Sequence, residues 1–363
     1  MIKNVIFDFG NVIATFDPLA ICGKYAACEE DARLLAGVVF DERWADLDAG
    51  RIEYEQYIED SMERIPERLH GEARALFDGW CGDLPPIEAT AWLADELRKK
   101  GYRLYILSNA PVCFSERVEK YAFARQVDGA VYSAEIQMEK PDADIYRHLL
   151  EKYDLKAEEC FFLDDKPCNI EGARACGLHG MVYTGDAERA LEEIAHIDRG
   201  LRAKQYFLSG CNCSQSVLLS FSDVTGLEDK VAMKLASSFG GGMGRMREVC
   251  GTVSGMLMVL GLVYGYDANS PTAAEDKLNH YRRVQELSGR FRDQFGSIVC
   301  RDILSGHVAR EVQKLKAAED EQLRAMLSTA PEPTPRTDEY YRKRPCADIA
   351  FAAAYLLDEY LTH

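Results

Sequence analysis

The sequence is poor in positive charge. Its 43 lysines and arginines are outnumbered by 60 aspartates and glutamates, which gives a formal net charge of −17 at pH 7. Because an acidic chain repels phosphate backbones, nucleic acid is excluded as a general partner. A site for a small phosphorylated molecule in this chain would need its own local positive charge.

Long hydrophobic runs are also missing. The apolar stretch at residues 251–266 contains four glycines and is shorter than the ~20 residues that a membrane-spanning helix needs. The first residues (MIKNV) show no charged segment followed by an apolar one, so they do not resemble a signal peptide. With 47% hydrophobic and 28% charged residues, the composition is typical of globular proteins. We therefore predict a cytoplasmic protein without a membrane partner.

Strand and helix patterns alternate in the first two hundred residues, and strand patterns then stop. Short apolar runs predict strands at residues 2–7, 103–107, 129–133, 160–163 and 180–183. Helical patterns lie between and after them, at residues 87–100, 111–121, 142–153, 170–176 and 187–195. This alternation predicts an α/β fold with a Rossmann-like three-layer core, built from residues 1–15 and 85–196. A helical cap is predicted at residues 16–84, a domain boundary near residues 196–203 and an all-α domain at residues 200–363.

Polar residues stand where four of these strands end or just beyond them. They are Asp8, Ser108 with Asn109, Lys140, and Asp164 with Asp165. Ligands bind at the carboxyl ends of strands in an open parallel sheet, so these residues are expected to form one site. Together they suit in-line attack of the Asp8 carboxylate on phosphorus, which gives an aspartyl-phosphate.

Each of these residues has a predicted role. Mg²⁺ prefers a few oxygen ligands plus waters, and Asp8, the Gly10 carbonyl, Asp164 and Asp165 are candidates to hold it. Ser108 and nearby backbone N–H groups would hold a phosphoryl oxygen, and Lys140 would supply positive charge. The predicted substrate-binding residues are Gly10, Asn11, Ser108 and Asn109.

These segments resemble the four motifs of haloacid dehalogenase-like hydrolases. The resemblance is carried by residues 8–12 (DFGNV), 107–109 (LSN), 140–141 (KP), 162–165 (FLDD) and 169–173 (NIEGA), and it covers residues 1–195. The first motif is similar to that of a branch that includes a sugar-1-phosphate phosphatase. The resemblance implies that the cap selects the substrate, and that the substrate is a small, sugar-phosphate-like metabolite.

Gly10 departs from the pattern of that family. Most of its phosphatases have a second Asp two residues after the nucleophile, as general acid and base. A leaving group of low pKa would need less protonation, or Asp17 or a cap residue could take the role. Two alternatives stay open: a catalytically lapsed hydrolase domain, and a 2-haloacid dehalogenase in which Asp8 attacks carbon.

The chain has 12 cysteines, seven of them in the first 200 residues, where we expect mostly small buried side chains. Beyond Cys211, four widely spaced cysteines remain, and they form no CxxC pair. Each stands at the start of a helical pattern, where a thiol's pKa is lowered. They are Cys213, Cys250, Cys300 and Cys346. Spacing alone fits either buried cysteines in a helical bundle or a convergent redox or metal site.

Residues 200–363 resemble the C_GCAxxG_C_C family, which is marked by four cysteines and a CGAxxG motif. The matching segments are residues 212–215 (NCSQ), 250–255 (CGTVSG), 295–297 (FGS) and 345–347 (PCA). Thr252 replaces the alanine of the motif. The resemblance implies that the four thiols form disulfides with a redox partner or bind a metal, and leaves Cys211 as a spare or resolving thiol. The second functional hypothesis is therefore a thiol redox or metal-binding protein. Oligomeric state is not predicted.

Overall fold

The computed structural model of the chain describes residues 1–305 and 345–363. Contacts divide these residues into two compact units, Ile2–Ile194 and Ala195–His363. In the described residues, no helix combines the length and apolar character needed to cross a membrane.

The first unit contains a five-stranded parallel sheet, which confirms the predicted α/β fold. The strand order is β3-β2-β1-β4-β5. The strands are β1 (Asn4–Phe7), β2 (Arg103–Ser108), β3 (Gly129–Tyr132), β4 (Cys160–Asp164) and β5 (His179–Val182). They form because their apolar side chains are covered by helices on both faces. Phe7, Phe161 and Phe162 are fully buried, and each side chain stabilises the fold by roughly 1.5–3 kcal/mol.

Helices connect the strands in the order that the sequence predicts. The inserted segment after β1 contains α1 (Pro18–Gly23), α2 (Glu29–Val39), α3 (Trp44–Asp48), α4 (Tyr54–Arg64) and α5 (His70–Gly79). The connections between later strands contain α6 (Glu88–Lys99), α7 (Val112–Ser115), α8 (Ser133–Ile136), α9 (Ala143–Lys152) and α10 (Pro167–Ala175). The single helix predicted at 111–121 is wrong, because α7 ends after one turn and only a 3₁₀ turn follows, at Val118–Lys120.

The second unit is helical. A long helix, α11 (Ala187–Leu208), contains the division between the units, so residues 196–203, where a boundary was predicted, are helical throughout. The helices that follow are α12 (Cys213–Ser220), α13 (Ser222–Thr225), α14 (Asp229–Ala236), α15 (Gly251–Tyr264), α16 (Ala273–Phe295) and α17 (Cys346–Thr362). Residues 300–305 are helical as well. The core lies between α12, α15 and α17, where Val217, Val259 and Leu357 are fully buried.

Candidate active site and cysteine cavity

A cavity of about 250 Å³ opens at the carboxyl ends of the strands of the first unit. It is lined by seven of the predicted site residues: Asp8, Gly10, Asn11, Ser108, Asn109, Lys140 and Asp165. Asp164 is not part of the lining and is fully buried. The sheet thus brings together residues that are far apart in the sequence.

Lys140 forms the electrostatic centre of this site. Its Nζ lies 2.8 Å from Asp8 Oδ1 and 2.6 Å from Asp164 Oδ2, and its side chain is 1% exposed. Asp8 Oδ1 also accepts the backbone N–H of Phe9 at 2.7 Å. Asp8 Oδ2 accepts no hydrogen bond from the described residues, so it is the oxygen that is available for attack.

Burial and charge act in opposite directions on this pair. Desolvation raises the pKa of Asp8, and although Lys140 opposes the rise, the net shift is upward. Burial by itself would lower the pKa of Lys140, but Asp8 and Asp164 more than offset it and the pKa is raised. Lys140 therefore stays charged beside Asp8 and supplies the local positive charge that the acidic sequence required.

Three carboxylates offer a place for a metal ion. One oxygen from each of Asp8, Asp164 and Asp165 lies within 4.8 Å of the others. The two Asp164 oxygens already accept hydrogen bonds from Lys140 Nζ, the Lys166 N–H and Asn169 Nδ2. A hard divalent cation such as Mg²⁺ fits this set of oxygen atoms, chiefly through Asp8 and Asp165.

Two asparagines hold the loops around these groups. Asn109 donates from Nδ2 to the Lys140 carbonyl at 3.0 Å and accepts the Lys140 N–H at 2.9 Å. Asn11 donates to Asp165 Oδ2 at 3.1 Å, and its φ of 58° lies in the left-handed region that asparagine tolerates. Ser108 is buried and lines the cavity. Asn109 therefore fixes the backbone that carries Lys140, in addition to lining the site.

Part of the cavity wall is aromatic. Phe16, Trp44, Trp80 and Phe114 line it. Trp44 and Trp80 meet edge to face with ring centroids 5.1 Å apart, and Trp80 stacks on Phe114 at 6.1 Å. Such pairs favour fixed ring orientations, so the wall is a preformed apolar surface.

In the second unit, the four predicted cysteines line one cavity of about 30 Å³. Cys213 and Cys346 are the first residues of α12 and α17, Cys250 is the N-cap of α15, and Cys300 begins the helical stretch 300–305. Cys211 is not in the lining. All twelve cysteines of the chain are thiols in the structure.

Polar groups contact three of these sulfurs. The Gly241 N–H donates to Cys213 Sγ at 3.4 Å, Cys250 Sγ lies 3.2 Å from the Thr252 hydroxyl, and Arg247 Nη1 lies 3.9 Å from Cys300 Sγ. Burial raises the pKa of Cys250 to about 12. The thiols therefore have unequal surroundings, as a nucleophilic thiol and its partners do.

Sequence reasoning missed two features of these sites. Asp48, at the end of α3, lines the first cavity, whereas Asp17 is exposed and caps α1 through the N–H groups of Leu19 and Ala20. Arg247 lines the cysteine cavity. Neither residue belongs to a motif, so no sequence signal marked them. Most of the seven cysteines in the first 200 residues are buried, as expected, whereas Cys176 is half-buried and Cys28 and Cys168 are exposed.

Comparisons with known proteins agree with both sites. Residues 2–177 match the model of the haloacid dehalogenase-like hydrolases, and residues 211–360 match the family described as "Putative redox-active protein (C_GCAxxG_C_C)". The resemblance to both families that the sequence predicted is therefore confirmed, each over its own segment of the chain.

Individual relatives match the first unit. Sesquiterpene phosphatase astK of Aspergillus oryzae is 29% identical over 192 residues, which are 52% of this chain and 94% of the relative. Phosphatase MT3486 of Mycobacterium tuberculosis is 27% identical over 193 residues, 49% of this chain and 85% of the relative. A HAD family enzyme from Bacteroides thetaiotaomicron, solved with magnesium and inorganic phosphate, is 23% identical, with a TM-score of 0.38 and coverage of 50% of this chain and 93% of that one.

Proposed function

We propose that the first unit is a magnesium-dependent phosphohydrolase that acts on a small phosphorylated metabolite through an aspartyl-phosphate at Asp8. The observation that carries the proposal is the placement of Asp8. Its Oδ1 is held by Lys140 and Phe9, and its Oδ2 is left without a donor from the described residues. Relatives that cover most of this unit are named as phosphatases, which supports phosphorus rather than carbon as the atom attacked.

The residues divide the chemistry among them. Asp8 attacks phosphorus in line with the leaving oxygen. Lys140, fixed by Asp164 and Asn109, faces the charge that builds up on the phosphoryl oxygens, and Ser108 offers a hydroxyl to one of them. Asp8, the Gly10 carbonyl and Asp165 would hold Mg²⁺, which when bound screens the negative charges of carboxylate and phosphate. Hydrolysis of the aspartyl-phosphate then regenerates Asp8.

The substrate has a phosphate at one end and meets an aromatic wall at the other. Aromatic side chains pack against sugar faces and against apolar chains. The sugar-phosphate-like substrate suggested by the sequence therefore stays a proposal, and the name of the Aspergillus relative adds isoprenoid phosphates to the candidates. A panel of both classes distinguishes them.

The test is release of inorganic phosphate from this panel, with Mg²⁺ or with EDTA, by the wild type and by Asp8→Asn. We expect release that needs Mg²⁺ and is lost in Asp8→Asn. Asp17→Asn is the matched control, because Asp17 is an exposed N-cap and asparagine caps helices equally well. Equal activity in Asp8→Asn, or release that EDTA leaves unchanged, contradicts the proposal. A folded wild type that is inactive on the whole panel would favour the lapsed hydrolase.

We also propose that the second unit carries a dithiol–disulfide site, with metal binding by the same thiols as its alternative. The observation in favour is that all four cysteines line a single cavity. Among the described residues, the only set of three metal-ligand atoms within 4.8 Å of one another is that of the Asp8, Asp164 and Asp165 carboxylates, so the cysteine sulfurs form no such set. Oxidation of two of these thiols by a small-molecule disulfide would form one disulfide bond in the protein and break the one in the reagent. The reagent would take up the two electrons and the two thiol protons.

Mass spectrometry after treatment with oxidised glutathione tests this second proposal. We expect disulfides among Cys213, Cys250, Cys300 and Cys346, and Cys211→Ser should leave them in place. Stoichiometric zinc in the purified protein, lost on Cys250→Ser, would favour the metal alternative. Four unreacted thiols and no metal would contradict both.

A further inference from the structure

In-line phosphoryl transfer requires a group that donates and accepts protons, and Gly10 cannot provide one. The leaving oxygen departs on the side of phosphorus opposite Asp8 and must gain a proton, and the water that later hydrolyses the aspartyl-phosphate must lose one. Gly10 has no side chain to serve either step. For a leaving group that needs a proton, the donor that the chain itself can supply is another residue of the cavity lining.

Four carboxylates line the cavity, and three of them are committed. Asp8 is the nucleophile and contacts Lys140. Asp165 accepts a hydrogen bond from Asn11, and Glu139 forms an ion pair with Arg51. The fourth is Asp48, whose Oδ1 is buried and has no hydrogen-bond partner among the described residues.

Resting on the proposed phosphohydrolase, we propose that Asp48 is the general acid and base of this reaction. As the acid it gives its proton to the leaving oxygen while the phosphorus–oxygen bond breaks and the Asp8–phosphorus bond forms. As the base it takes a proton from the water that attacks the aspartyl-phosphate. One proton is given and one is taken back, so the cycle needs no further reactant.

The fold holds Asp48 in position. Its carbonyl accepts a hydrogen bond from the Ser133 hydroxyl, and the same Ser133 oxygen accepts the Ala110 N–H at 2.9 Å, next to the Ser108–Asn109 pair. Two residues later, Gly50 has a φ of 69°, and a Cβ there would lie 2.5 Å from the Ala134 carbonyl oxygen. The end of α3 is therefore packed tightly on the core beside the active site.

The electrostatic surroundings agree with this role. Burial raises the pKa of Asp48 well above its ordinary value, and the Asp8 and Glu139 carboxylates add to the rise, while Lys166 and a side-chain hydrogen bond with Trp44 oppose it. Lys140 and Asp165 also line the cavity. A buried carboxyl with an unpaired oxygen is more stable as the neutral acid, which is the form that donates a proton.

The test compares phosphate esters whose leaving groups range from nitrophenol to simple alcohols. In Asp48→Asn we expect rates with alkyl esters to fall on the order of 10²–10⁴-fold and rates with 4-nitrophenyl phosphate to fall much less in the first step. The variant should release one nitrophenol per site in a burst, because the aspartyl-phosphate then hydrolyses slowly. Asp46→Asn, on the same helix but outside the lining, should behave as the wild type.

The pH profile adds a readout that a merely structural role would not give. In the wild type, kcat/KM for an alkyl ester should fall as pH rises through the raised pKa of Asp48, and this limb should vanish in Asp48→Asn. Equal losses with all esters and no burst would overturn the role of Asp48 while leaving the phosphohydrolase intact. Full activity of Asp48→Asn would do the same, whereas a wild type inactive on every ester would overturn both proposals.

Discussion

Replacing Lys140 with methionine should destabilise the first unit, because it removes the ion pairs between Lys140 and two buried aspartates. In the wild type the ammonium group lies 2.8 Å from Asp8 Oδ1 and 2.6 Å from Asp164 Oδ2, and the three side chains are 1%, 10% and 0% exposed. Methionine keeps most of the length of the side chain and leaves two buried carboxylates without the ammonium group. Breaking a buried pair in this way costs about 3–5 kcal/mol. Since each kcal/mol shifts the melting temperature of a unit of this size by about 2–4 °C, we expect a decrease of roughly 6–20 °C at pH 7.

The effect has a defined pH dependence. Lys140 lowers the pKa of Asp8, so without it the folded-state pKa rises further above the ordinary value. The destabilisation of Lys140→Met is then largest at neutral pH and shrinks as pH falls through the raised folded-state pKa values of Asp8, below which the carboxyl is protonated in both folded proteins. In the wild type the raised pKa of Lys140 keeps its contribution present through neutral pH, and it is lost only as pH rises through that value.

Thermal unfolding followed by circular dichroism between pH 4 and 8, in EDTA, measures both effects. Lys166→Met removes the same charge from an exposed side chain near Asp164 and should change stability by less than about 0.5 kcal/mol. A melting temperature of Lys140→Met equal to that of the wild type at pH 7, or a deficit that grows as the solution becomes more acidic, would refute the electrostatic account.

Two predictions concern glycines and the space that an added Cβ atom would occupy. Gly251→Ala should destabilise the second unit by about 1–3 kcal/mol, because the new Cβ would lie 2.7 Å from Cys213 Sγ. Gly261→Ala, on the same helix with nothing within 4 Å of the new Cβ, should be neutral or stabilising, and denaturant unfolding compares the two variants. Gly10→Asp should fold, because its Cβ meets only the Cβ of Phe16, at 3.7 Å, and a melting temperature several degrees below that of the wild type would contradict this.

Much of the first unit could be predicted because apolar strands end in polar residues. Asp8 and Asp164 were identifiable from their positions after or at the end of buried runs, and their convergence follows from parallel pairing in one sheet. The helix predicted at residues 187–195 continues to Leu208 in α11, because Gly200 lies within this helix without ending it. The Pro111 segment was misread because its apolar spacing fits a helix as well as it fits the observed turns.

Asp48 could not have been predicted for a different reason. The inserted segment contains many acidic residues, and nothing in the local pattern separates Asp48 from Asp46. Only the packing of α3 on Ser133 and Ala134 places the Asp48 carboxyl in the cavity, whereas the Asp46 carboxyl lies outside the lining and pairs with Arg51. Sequence patterns report which face of an element is apolar, whereas the chemistry of a site depends on contacts between distant segments.

The central position of β1 has a consequence for folding on the ribosome. Asn4 pairs with Arg103 on one side and with Cys160 on the other. The strand that precedes Asp8 is therefore synthesised before both of the strands that pair with it. Until the segment that ends at Asp165 has emerged, Asp8 has neither the carboxylates that lie beside it nor its complete sheet. Synthesis therefore delays the assembly of this cavity until most of the first unit is available.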